Sequence, residues 1–269
     1  MSAVTVTSPA ASEPVPRSAA DRRPPLLRLT RVELRKAVDT RAGLWLLIVI
    51  GALGVVLVVV RLLAGPRSER TLPSIVETTQ LPFGLLLPVL GILLITSEWS
   101  QRTALTTFAL VPHRERVVTA KLLAMTVLAV LMTVASLLAS FVGFAVGRTA
   151  GTTSGGWDLS AGSVAELLLG QVLNMLLGAG FGLLLLSSAA AIVLSFALPT
   201  AWSLVSSLVP ALRDEARWLD TARTMSPLFD PTSPAMDGQA WARLAVSLLV
   251  WLVVPMAAGL FRLHRREVS

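Results

Sequence analysis

Cysteine is absent from this chain, which excludes disulfides, thiolate metal sites and cysteine nucleophiles. Tyrosine is absent too, so interfacial aromatic anchoring falls to the seven tryptophans; Trp45, Trp99, Trp157, Trp241 and Trp251 stand near the ends of apolar runs. The only histidines, His113 and His264, fall in polar segments far apart in sequence. They are a poor basis for a histidine metal site or a Ser–His pair. Charged residues make up only 14% of the chain, well below the roughly one quarter of an ordinary soluble domain. No Gly-x-x-x-x-Gly-Lys-Ser/Thr phosphate loop occurs, and no other Gly-rich loop opens a soluble helix. The chain is therefore not expected to hydrolyse nucleotide alone. Residues 1–25, rich in Ser, Pro, Ala and Val, hold no apolar run of signal-peptide length. They read as a disordered cytoplasmic tail, which leaves the first apolar run to act as its own insertion signal.

What the chain does have is apolar length. Of its 269 residues 54% are hydrophobic, and the mean hydropathy is +0.73. Runs such as Leu44 to Ala64 and Leu122 to Gly147 reach the roughly 20 residues that cross a hydrocarbon layer of about 30 Å. Apolar windows at 44–64, 81–97, 119–147, 164–187, 189–210 and 241–261 predict six spans, an all-α polytopic membrane protein. Residues 164–210 are too long for one crossing, and Ser187, Ser188, Ser195 and Pro199 mark the region where a tight turn divides it. Before the first span, residues 26–43 form an amphipathic interfacial segment. Leu26, Leu27, Leu34, Ala37 and Val38 share one helical face, and Arg28, Arg31 and Arg35 share another.

The net charge of +7 and pI near 11.4 would suggest nucleic acid in a soluble protein. Here the positive charge clusters at span ends, and the expected partner is anionic membrane lipid rather than nucleic acid. With both termini and the loop 98–121 on one side, 15 of the 23 Lys and Arg lie there. This positive-inside bias predicts a multi-pass protein with both termini cytoplasmic, a transmembrane domain over 44–262 and a short tail over 263–269. The outer segments, 65–80, 148–163 and 211–240, are too short for separate domains.

Few residues are suited to chemistry. Within the expected spans the ionisable residues Arg61, Glu166 and Arg243 all lie near span ends, an argument against proton or sodium coupling, which uses buried charges along the ion route. Most Ser and Thr adjoin apolar runs and suit hydrogen bonds to helix carbonyls. Gly51 and Gly54, then Gly178, Gly180 and Gly182, allow close helix approach. Gln171 and Asn174, about one turn apart in the fourth span, are its most polar pair; they either face a substrate path or bond across helices. Glu98 and Arg102 have the spacing and order of a helical ion pair.

The segment Ser97-Glu98-Trp99-Ser100-Gln101-Arg102-Thr103, followed by Pro112, Arg114 and Lys121, resembles the permease subunits of type-2 ABC exporters, in the wording of their actinobacterial members. In that family an acidic residue ends the second span, a Gln/Arg-Thr pair follows, and a Pro-x-Arg segment and a Lys lead into the third. The resemblance extends over residues 26–262. It implies that Glu98, Arg102, Thr103, Pro112, Arg114 and Lys121 couple the chain to a cytoplasmic ATP-binding subunit. It also implies pairing with a second permease copy or a paralogue in the plasma membrane, with ATP and Mg bound only by the partner subunit. The short outer segment before the last span matches exporters of small amphiphilic cargo, drug-like or lipid-like. A non-transporting membrane scaffold or regulatory subunit remains the alternative; an intramembrane enzyme lacks the catalytic groups.

Overall fold

The computed structural model describes residues 25–100 and 114–265, the side chains of 98–100, 114 and 264 excepted. The regular elements among them are all helical. A short helix α1 (Leu26–Asp39) leads into α2 (Arg41–Ala64), α3 (Leu72–Ser100), α4 (Arg114–Thr149), α5 (Ala161–Leu185) and α6 (Ser188–Leu208). Two short helices, α7 (Arg213–Leu219) and α8 (Thr221–Phe229), precede α9 (Gly238–Leu248), which runs through a π turn at Leu249–Val253 into α10 (Val254–Arg265). Six helices, α2 to α6 and the joined α9–α10, are long and apolar enough to cross a membrane. The chain is an all-α, multi-pass membrane protein.

The six apolar windows reappear as these helices, with two informative differences. The second span begins at Leu72, not near residue 81, because the polar Thr78, Thr79 and Gln80 satisfy themselves inside the helix. Thr78 Oγ1 donates to Ser74 O at 2.7 Å and Thr79 Oγ1 to Val76 O at 2.7 Å. Glu77 thus joins Arg61, Glu166 and Arg243 as an ionisable residue near a span end. The division of residues 164–210 falls at Leu186 and Ser187, where Leu186 takes the left-handed conformation (φ 52°) and closes α5 by donating its N–H to Gly182 O. Ser195 and Pro199 lie within α6 and do not turn the chain.

The centre of the bundle is α5. In its most apolar stretch 61% of residues are buried, against 17% for α2 and 11% for α6, so α5 is surrounded by protein while those two line the outside. Small residues make this possible, since in lipid close backbone approach and dispersion replace the hydrophobic driving force. A Cβ on Gly178 would fall on the Pro88 carbonyl oxygen of α3, and one on Gly91 would come within 2.5 Å of Met175 O. The two helices interlock through these reciprocal notches. Around the seam Leu87, Leu90, Met175, Ala179 and Leu183 are buried. On the other flank of α5, Phe181 packs with Met225 and Leu228 of α8 and Leu244 of α9. The outer segment 211–240 thus sends α8 into the bundle. Ala37, Val118 and Leu263 share one core cluster, which puts α1 and the end of α10 at the same end of the molecule.

The notch carries a prediction. Gly178→Ala forces α3 and α5 apart, at a cost of about 1–3 kcal/mol, whereas Gly238→Ala meets open space. Thermal unfolding in detergent should show a fall of several degrees for the first and little change for the second.

Candidate functional site

The strongest polar arrangement stands where α1 meets the bundle. Within α1, Thr30, Glu33 and Ala37 form the buried face, and they are turned against α4 and α2. Glu33 Oε2 accepts from Lys121 Nζ of α4 at 2.7 Å, and Glu33 Oε1 accepts from Lys36 Nζ at 2.7 Å. Lys121 Nζ also donates to Leu94 O of α3 at 3.2 Å. The Lys121 and Glu33 side chains are only 5% and 11% exposed. One ammonium therefore joins three helices: α1 through a carboxylate, α3 through a carbonyl, and α4 through its own stem. Burial pushes the Glu33 carboxyl up, but Lys121 and then Lys36 outweigh it and hold the group below the ordinary carboxylate range.

Of the residues expected to couple the chain to a partner, Lys121 alone has a described side chain, and it is buried in this junction rather than displayed on a loop. Arg102, Thr103 and Pro112 lie outside the described residues, as do the side chains of Glu98 and Arg114. Glu98 ends up in the last turn of α3 and Arg114 opens α4, so both backbones lie at the same end of the bundle as Lys121. Glu33 was not among the expected residues. Its signal is its position: Leu29, Glu33 and Ala37, four apart, form one helical row. A carboxylate in an apolar row needs a cationic partner, and the face read as lipid-directed is in part protein-directed. Leu27 and Val38 do remain exposed.

Deeper in the bundle, a chain of side chains joins α3, α4 and α5. Gln171 Nε2 donates to Gln80 Oε1 at 2.9 Å, and Gln80 Nε2 donates to Ser136 Oγ at 3.3 Å and to Val76 O at 3.1 Å. Thr79 and Ser140 hydroxyls meet at 3.4 Å. Gln171 is fully buried and its Oε1 has no hydrogen-bond partner. Asn174 answers a different need. Pro88 has no N–H to offer the carbonyl four residues back, and Asn174 Nδ2 donates to that oxygen, Gly84 O, at 2.8 Å. Both members of the α5 pair therefore bond across helices, and only Asn174 also lines open space.

That space is a cavity of about 680 Å³ between α3, α5, α6 and α8, towards the end of the bundle remote from α1. Its wall combines apolar groups (Leu81, Phe196, Met225, Phe229) with Glu77, Asp230 and Arg61. Arg61 pairs with Glu69 at 3.1 Å. Burial pushes the Asp230 carboxyl up. Thr232 and Ser233 more than offset this through hydroxyl and backbone donors and keep it below the ordinary range; the hydroxyl bonds are 2.5 and 2.7 Å. Among the described residues no group of three or more His, Cys, Asp or Glu could hold a metal ion. No protein-family model matches the chain, and no curated protein matches it.

The Glu33 junction gives the protein a directional pH response. A carboxyl depressed in the folded state stabilises above its unfolded pKa, and that stability is lost as pH falls through the folded value. Unfolding temperature should therefore drop more steeply below about pH 4.5 in the wild type than in Glu33→Gln. At neutral pH Glu33→Gln should itself be destabilised, on the order of 3 kcal/mol, because it leaves Lys121 buried without its counter-charge. Parallel acid slopes in the two proteins would remove Glu33 from the account.

Proposed function

We propose that the chain is the transmembrane permease subunit of an ATP-driven exporter of the type-2 ABC class. It carries a small amphiphilic cargo, drug-like or lipid-like, out of the cell across the plasma membrane, with both termini cytoplasmic. A separate cytoplasmic subunit binds ATP and Mg and supplies the energy. The observation that carries this reading is the ion pair of Glu33 with Lys121, together with the hydrogen bond from Lys121 to Leu94 O. A transporter driven from outside the membrane needs a rigid link between the surface it is pushed on and the spans that move. Here the surface helix α1, the end of α3 that leads into the charged loop and the start of α4 share one buried ammonium. A push on α1 or on the loop 98–121 is delivered to the second and third spans together, because displacing either separates opposite charges in a poorly solvated place.

Other features support the same reading. Arg28, Arg31 and Arg35 are exposed on α1, where they can meet anionic headgroups and hold the helix at the membrane surface. The 15 of 23 Lys and Arg in the termini and the loop 98–121 favour the cytoplasm for that end. The outer position of α2 and α6 leaves faces for lipid and for a second permease copy or paralogue.

Affinity purification of the tagged chain in mild detergent tests the reading directly. A stoichiometric P-loop ATPase should co-purify, and recovery of the chain without one would remove the proposal. In the reconstituted complex, Glu33→Gln and Lys121→Gln should lower export at least about fivefold per ATP hydrolysed, as should charge reversal at Glu98 together with Arg114, all without loss of membrane insertion. Export by these variants at the wild-type ratio would show that the junction only holds α1 in place.

A further inference from the structure

The cavity remote from α1 is more selective in its chemistry than its mixed lining suggests, because several of its hydrogen-bond donors are turned to helix carbonyls. The hydroxyl of Thr78 donates to Ser74 O at 2.7 Å, that of Ser195 to Ile192 O at 3.0 Å, and that of Ser226 to Arg223 O at 3.1 Å. The Asn174 amide donates to Gly84 O. The three hydroxyls can still offer an occupant oxygen lone pairs, and the Asn174 amide its oxygen and one remaining N–H. Proline adds to the excess. Pro82 and Pro199 lie inside α3 and α6, and each removes the N–H that would have bonded the carbonyl four residues earlier, which is that of Thr78 and of Ser195. Both of those residues line the cavity.

Charge points the same way. Glu77 is exposed to the cavity, and Asp230 is among the charges acting on it. Among the described residues Arg61 is the one cationic side chain of the wall; it too acts on Glu77 and its Nε has no hydrogen-bond partner, but it pairs with Glu69, which is not part of the wall. The wall thus holds two carboxylates against one guanidinium that already has a carboxylate of its own. At about 680 Å³ the space matches a drug-sized molecule, typically about 300–1,000 Å³, and is far too large to coordinate a bare ion. Phe196 and Phe229 supply aromatic surface for an apolar body and for cation–π contact, and Leu81 and Met225 supply aliphatic surface.

We infer that this cavity binds a monovalent organic cation with a bulky apolar body, its charged head set against the carboxylates of Glu77 and Asp230. An anion of the same shape is disfavoured, because it meets two carboxylates and a guanidinium already paired with Glu69. A neutral molecule can donate hydrogen bonds to the carboxylates but lacks the attraction between opposite charges. The inference deepens the transport reading by naming a class of cargo, and it rests on that reading only for the movement of the cargo; binding by the isolated chain does not require it.

The test uses the purified full-length chain in lipid nanodiscs, with tetraphenylphosphonium as probe and tetraphenylborate as its anionic counterpart, each corrected for uptake by empty discs. Saturable binding of the cation and none of the anion is expected. Glu77→Gln should weaken cation binding about tenfold. Ser203→Lys, which places a positive charge on the same wall with no side-chain bond to lose, should abolish it while the unfolding temperature stays within a few degrees of wild type. Equal binding of both ions, or cation binding unchanged in both variants, would overturn the inference. Saturable cation binding by a chain whose cells do not export the probe would uphold the site and count against the transport reading instead.

Discussion

In hydrocarbon a polar group without a partner costs several kcal/mol, and there is no water to supply one. The arrangement of this bundle follows from how that cost is met. Gln80 collects Val76 O, Thr79, Ser136 and Gln171, and so fixes the rotation of α3 against α4 and α5. Asn174 closes the backbone gap opened by Pro88. Lys121 is admitted to a buried position because Glu33 and Leu94 O receive its protons. The contacts of Gln80 with Ser136 and Gln171, of Asn174 with Gly84 O and of Lys121 with Glu33 and Leu94 O join different helices, so the polar groups act as registers for surfaces that are otherwise uniform in Leu, Val and Ala.

The two ends of the molecule use this constraint differently. At the α1 end, opposite charges meet at 2.7 Å with little exposure, and the result is a stiff junction of three helices. At the other end, the hydroxyls of Thr78, Ser195 and Ser226 turn to their own helix carbonyls, around a space that protein does not fill. A stiff end and an unfilled end in one bundle fit the transporter we propose, pushed at the first and loaded or emptied at the second. The interlocked glycines of α3 and α5 lie between them and hold the two helices in close contact.

Much of the fold was legible from composition and hydropathy. A chain that is 54% hydrophobic with 14% charge leaves few solutions besides membrane helices, and the windows near residues 44, 119, 164, 189 and 241 fall within a few residues of the helix starts. The start of α3 was misread because Thr78, Thr79 and Gln80 look like loop residues until their hydrogen bonds are seen. The turn between α5 and α6 was hidden for the opposite reason: Leu186 adopts a left-handed conformation that leucine composition does not advertise. Of the candidate site residues, Gln171 and Asn174 stood out by polarity and Lys121 through the resemblance of its segment, and the structure shows what each one bonds.

Local chemistry thus determined, from the sequence by itself, which segments are apolar enough to cross a membrane, that the segment before the first span is amphipathic, and that thiol chemistry is excluded. These properties depend on residue type and spacing along the chain. Only the tertiary structure decided that Glu33 faces Lys121 from 88 residues away, that α5 is the centre and α2 the rim, and that Glu77 and Asp230 share one cavity. Those facts depend on how long apolar helices rotate and rank against one another, and hydropathy is nearly the same on every side of such a helix.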